Sequence, residues 1–170
     1  MDILVDLTEQ VLSNDGEKIL KLRTFRFCDG PNFLHADVEC VAVHCYQNEK
    51  DLDGYVSFRC KSKGYHHNSG SSGSQSFYIN IKSFFEIHRH LLQQSEMPSY
   101  RNINSEHNHL GKADLLFEEA TIDQEPPAPP IIHLRFKERE NKTCVTNIAI
   151  TKSKWVAMMD EMINAGCSEP

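Results

Sequence analysis

NIAITKSKWVAMMDEM, residues 147–162, passes from strand-like alternation into helical spacing with almost no linker. From Thr151 onward, Trp155, Met158, Met159, Met162 and Ile163 recur at i, i+3, i+4, i+7 and i+8. That spacing predicts one apolar stripe on a helix. FYINIKSFFEIHRHLL, residues 77–92, makes nearly the same joint some seventy residues earlier. There Ser83 with Glu86 three later has the form of a capping box, in which hydroxyl and carboxylate satisfy orphan amides at a helix start. Counted from Ser83 and from Thr151, the fourth residue is Ile87 in one copy and Trp155 in the other. Each can drop onto its own sheet. The joint therefore predicts two β-rich units, residues 1–95 and 96–170, each closed by a helix.

Working outward, alternation supplies the strands. KILKLRTFRF (18–27) sets Leu20, Leu22 and Thr24 against Lys21, Arg23, Phe25 and Phe27. HADVECVAVHCY (35–46) is the clearest strand. Read as unbroken, it places Cys40 and Cys45, five apart, on opposite faces. YVSFRCKSK (55–63) sets Val56, Phe58 and Cys60 against Tyr55, Ser57, Arg59, Lys61 and Lys63. IIHLRFKERE (131–140) sets Ile132, Leu134 and Phe136 against His133, Arg135, Lys137 and Arg139, and TCVTNIAI follows a turn at Asn141-Lys142. ILVDLTEQVL near the start, and KADLLFEEATI (112–122), fit either a strand or a short helix. Residues 64–76 read as a Gly/Ser-rich loop and 95–112 as a polar connector. QEPPAPP (124–130) excludes a helix or a central strand, because proline lacks the amide and fixes φ.

Composition narrows the function classes. With 39% hydrophobic and 25% charged residues the chain can build a core. No apolar run reaches the roughly 18–20 residues of a membrane span, and MDILVDLTEQ lacks the basic-then-apolar pattern of a signal peptide. These features predict a soluble intracellular protein. The net charge is −6. Residues 1–95 carry ten Lys/Arg against twelve Asp/Glu, the rest eight against twelve. A chain-wide basic footprint is thus absent, and any polyanion must be held by a local surface. The six cysteines include no CxxC, and buried reduced thiols fit them better than a disulfide framework or a zinc site with His35, His44, His66 or His67. His107-Asn108-His109 lacks a metal-binding setting, and no phosphate-binding Gly loop or nucleophile elbow occurs. Neither enzymatic activity nor a cofactor or metal is expected.

The run Ile148-Ala149-Ile150-Thr151-Lys152-Ser153-Lys154-Trp155, with Met158, Asp160 and Glu161 in the helix behind it, resembles the C-terminal signature of the transcriptional positive cofactor four family. IHLRFKERENKTCVTNIAI is similar to that family's strand–turn–strand. KILKLRTFRF, HADVECVAVHCY, YVSFRCKSK and FYINIKSFF give a similar succession in the first copy, with Ile87 or Phe84 in place of the early Trp. The related Whirly proteins share the sheet-plus-helix plan, although their lysine-rich signature has no counterpart here. The resemblance implies an α+β fold of curved antiparallel sheets backed by helices, assembled as a dimer that binds single-stranded DNA. Two copies in one chain would form that dimer internally, as a pseudo-dimer, and a homodimer of whole chains is the other assembly it implies. The chain departs from the family pattern in its acidic balance and in its connector and Pro-rich segments.

Single strands are held by pairing cations with phosphates and aromatic rings with bases, each stacked base contributing about 1–3 kcal/mol. Three strands offer such stripes: Lys21, Arg23 and Phe25; Tyr55, Arg59, Lys61 and Lys63; and Arg135, Lys137 and Arg139. These are the candidate nucleic-acid-binding residues. The alternative is that each stripe is merely the solvated side of a half-buried strand, and the scaffold is a protein-interaction module using its acidic surface. RNA binding would use the same stacking surface.

Overall fold

The computed structural model describes residues 2–12, 23–28, 34–63, 74–92, 100–104, 115–123, 130–138 and 145–170. The chain is α+β. Its elements run β1 (Ile3–Asp6), α1 (Thr8–Leu12), β2 (Arg23–Cys28), β3 (Leu34–Gln47), β4 (Gly54–Lys63), β5 (Ser74–Asn80) and α2 (Ile81–Leu92), then β6 (Tyr100–Asn104), β7 (Leu115–Asp123), β8 (Ile131–Glu138), β9 (Val145–Thr151) and α3 (Lys152–Asn164). Successive strands followed by a helix thus occur twice. All strand pairings are antiparallel, in the order β5-β4-β3-β2-β9-β8-β7-β6, with β1 added beside β3. The early and late strand sets join edge to edge through β2 and β9.

Alternation supplies the core. Val56, Phe58 and Cys60 of β4 and Ile132, Leu134 and Phe136 of β8 are buried, as are Ile148 and Ile150 of β9. Phe77 on β5 and Phe136 on β8 meet with ring centroids 5.4 Å apart, so the inner faces of the two strand sets share one core. Cys40 and Cys45 do not sit on opposite faces as unbroken alternation predicts; both are buried. The cause is a register shift between Cys40 and Ala42 against β4, a bulge whose extra residue resets the parity. The opening segment resolves into both a strand and a helix, KADLLFEEATI contributes β7, and the polar connector contains β6.

Helix α2 starts earlier than its sequence suggests. Asn80, not Ser83, occupies the capping position, and its side-chain oxygen accepts the Ser83 amide at 2.7 Å. Ser83 lies buried inside the first turn. Thr151 caps α3 as expected, accepting the Lys154 amide at 3.3 Å, and the Lys152 amide donates to the Pro130 carbonyl at 2.9 Å. Four residues beyond each cap lie Phe84 and Trp155. These two rings stack on each other, centroids 4.3 Å apart and 8° from parallel. The matching positions of the two joints therefore face one another, rather than each packing only on its own sheet. On the α3 stripe Trp155, Met158, Met159 and Met162 are buried, whereas Ile163 is exposed. Lys154, also buried, donates from Nζ to the Val11 carbonyl at 2.8 Å, tying α1 to α3.

The Trp155 indole N–H donates to Nδ1 of His88 on α2 at 3.1 Å, a bond that requires the imidazole nitrogen unprotonated. Burial lowers the His88 pKa from its ordinary 6.5; Asp160 opposes the shift and Arg89 adds to it. The unfolded chain consequently takes up more protons than the folded one just below pH 6.5. We expect stability to be full above that pH and to fall as pH drops beneath it. Urea midpoints measured between about pH 5 and 7 should show this slope, and His88→Gln should flatten it.

Candidate nucleic-acid interface

Residues directly paired across antiparallel strands share a face of the sheet. Backbone register puts Lys61 opposite Glu39, Glu39 opposite Arg23, Arg23 opposite Ala149 and Ala149 opposite His133. The next row of the same parity runs Lys63, Asp37, Phe25, Asn147, Arg135, and Lys137 follows opposite Val145. Arg23, Lys61 and Arg135 thus occupy one continuous face across five neighbouring strands. Arg59, Lys61 and Arg135 are exposed, and Nε of Arg135 donates to the side-chain oxygen of Asn147 at 3.4 Å. Arg23, Phe25, Lys63 and Lys137 are placed by register; Lys21 and Arg139 lie outside the described residues.

The register also shows what alternation within single strands cannot. On this face the basic positions of β4, β2 and β8 are separated by acidic ones: Asp37 and Glu39 on β3 lie between β4 and β2, and Glu119 on β7 stands opposite Arg135. The front carries columns of alternating charge instead of an unbroken basic field. Among the described residues, no acidic position interrupts this face from β2 across β9, where Asn147 and Ala149 are neutral, to β8.

One end of the same face is aromatic. Tyr46 and Tyr55, paired across β3 and β4, have centroids 4.8 Å apart at 30°, and Tyr78 of β5 meets Tyr55 edge-on at 5.2 Å. The ring of His44 lies 6.3 Å from that of Tyr46. All four rings are half-buried, so each keeps some surface open to solvent. Burial, followed by the neighbouring Tyr46 and Tyr78, raises the Tyr55 pKa and keeps its phenol protonated at neutral pH. Nε2 of His44 lies 3.6 Å from the Asp6 carboxylate. Hydrogen bonds from Thr8, and secondarily His44, hold that carboxylate below its usual range. Tyr46 and Tyr78 were not among the sequence candidates. Tyr78 alternates with Phe77 and Ile79 and was open to detection; Tyr46 becomes outward only once the bulge is known.

From Tyr55 to Lys61, β4 presents Tyr55, Arg59 and Lys61 over about 20 Å, with Ser57 buried between them. Rings at one end and cations at the other can grip bases and backbone of an extended strand together. The turn below the rings is tight. A side chain at Gly54 would stand 2.0 Å from the Tyr46 carbonyl oxygen, so β3 and β4 can close there only around glycine.

No family model matches the chain, and no curated protein matches it. A solved structure of the plant transcriptional regulator PBF-2 aligns with 84% of this chain and 79% of its own at 8% identity and a TM-score of 0.33. Among the described residues, no helix is long and apolar enough to cross a membrane.

Proposed function

We propose that the chain is a non-enzymatic nucleic-acid-binding protein that holds single-stranded DNA across the outer face of β4, β3, β2, β9 and β8. The reading rests on the register that aligns Lys61 with Arg23, and Lys63 with Phe25 and Arg135, beside the Tyr46–Tyr55–Tyr78 cluster. Flexible single strands suit such a surface because every base has a face to stack, whatever its sequence. Backbone contacts dominate and base readout is slight; RNA would engage the same rings and cations. The Phe84–Trp155 stack supports a further reading, in which the two strand-and-helix sets act as halves of an internal pseudo-dimer. Such a protein works in the nucleus or another intracellular compartment that holds single strands.

A fluorescence titration with labelled oligonucleotides tests the proposal. Binding should prefer single strands over duplex and weaken as salt rises. Absence of oligo-dT binding at micromolar protein and low salt would overturn it. The acidic columns on β3 and β7 favour a second reading, a protein-interaction module whose partner is basic. That partner would lose affinity when Glu39 and Glu119 are neutralised, whereas an oligonucleotide would gain it.

A further inference from the structure

Four cysteines among the described residues are buried and outside any disulfide, and their settings differ. Cys40 and Cys60 are directly opposed on β3 and β4, deep in the core, with thiols turned to the carbonyls of Ala42 (3.7 Å) and Phe58 (3.9 Å). Cys45, further along β3, is fully buried, while Cys167 belongs to the segment after α3 and is 7% exposed. That segment leaves the helix through Gly166 at φ 95° and bonds back through the Cys167 amide to the Met162 carbonyl at 2.9 Å. It then docks on the end of β3. The Gln47 side chain accepts the Ser168 amide at 2.9 Å, and donates to the Ser168 carbonyl at 2.6 Å and to the Leu52 carbonyl at 2.8 Å. Glu169 reaches across to pair with Arg89 of α2. This clamp sets Cys167 beside Cys45, two residues before Gln47 on the same side of the strand, and both cysteines lie in the one buried core.

We infer that Cys45 and Cys167 are a site of reversible oxidation, forming a disulfide that fastens the segment after α3 to the sheet. The two sulfurs are not equivalent. The neighbouring Cys45 lowers the Cys167 pKa, whereas Cys167 and burial raise that of Cys45. Cys167, 7% exposed against 0% for Cys45, is the sulfur that a peroxide reaches first. With a peroxide as oxidant, the Cys167 thiolate attacks one oxygen, the O–O bond breaks, and the departing hydroxide takes a proton to leave water. Cys167 then carries a sulfenic acid. The Cys45 sulfur, losing its proton, attacks the Cys167 sulfur; the S–O bond breaks and a second water leaves. Two thiols and one peroxide give one disulfide and two waters, so the two electrons lost by sulfur are those gained by the peroxide.

The test needs no knowledge of the bound ligand. The whole protein is titrated with hydrogen peroxide, quenched and mapped by mass spectrometry without reduction. A Cys45–Cys167 link should appear before any other, with loss of two hydrogens, and disappear with dithiothreitol. The link closes a loop of more than a hundred residues, so melting should rise by roughly 5–15 °C on oxidation. Cys167→Ser should show no rise in melting on oxidation. A Cys40–Cys60 link forming first, an intermolecular link, or sulfonic acid at Cys167 without a bridge would each overturn the inference. Because the mapping uses wild-type protein, it stands even if a variant folds poorly, and it is independent of the oligonucleotide titration.

Discussion

Trp155→Ala should destabilise the fold by about 4 kcal/mol, within the range for truncating a fully buried large aromatic. The ring is 0% exposed and lies flat on Phe84, so truncation opens a cavity that two helices and the sheet must share. Stacked aromatic pairs contribute about 0.5–1.5 kcal/mol beyond the area they bury. Removing the indole also strips His88 of its donor. Trp155→Phe keeps a stacking ring and loses the N–H, and should cost about 1–2 kcal/mol. Urea unfolding followed by circular dichroism is the suitable measurement, since the chain has one tryptophan. Phe84→Ala alone and combined with Trp155→Ala completes a double-mutant cycle, whose coupling should reach at least about 0.5 kcal/mol. Additive losses would mean that each ring merely fills its own sheet's core, and the two joints would have no common keystone.

The cycle probes a feature only half legible in the sequence. Both strand-to-helix joints stand out in FYINIKSFFEIHRHLL and NIAITKSKWVAMMDEM because a change of hydrophobic period is a local property. Their alignment was not legible. Ser83 with Glu86 imitates a capping box, while Asn80, three residues earlier, makes the cap and shifts the matching position from Ile87 to Phe84. Strand faces were readable wherever alternation is unbroken, as in β4 and β8. They failed in β3, where one extra residue between Cys40 and Ala42 turns Cys45 inward. The candidate site shows the same division. Arg59, Lys61 and Arg135 are exposed as their spacing predicts. That Glu39 falls between Lys61 and Arg23 depends on pairing between strands distant along the chain, which no single stretch encodes.

Those interleaved acids set the size of the effect expected from the basic columns. Arg59→Gln, Lys61→Gln and Arg135→Gln combined should weaken oligo-dT binding about a hundredfold at roughly 0.1 M monovalent salt, if each cation releases one counterion with a slope of about 0.7 per contact. The slope of log affinity against log salt should fall by about 2 for the same reason. All three side chains are exposed, so the triple variant should unfold within about 1 kcal/mol of wild type, and lost binding will not reflect lost folding. Tyr55→Ala should behave differently: it removes a stacking ring, costing about 1–3 kcal/mol of affinity while leaving the salt slope unchanged. Glu39→Gln supplies the opposite sign. Glu39 lies in register between Lys61 and Arg23, so neutralising it should strengthen oligonucleotide binding by removing a repulsive charge from the path of the phosphates. A triple variant that binds as wild type does, with an unchanged slope, would show that the cations of this face serve the acids beside them rather than a polyanion. The alternating columns would then be cross-strand ion pairs that stabilise the sheet, and the search for a partner would move to the acidic positions of β3 and β7.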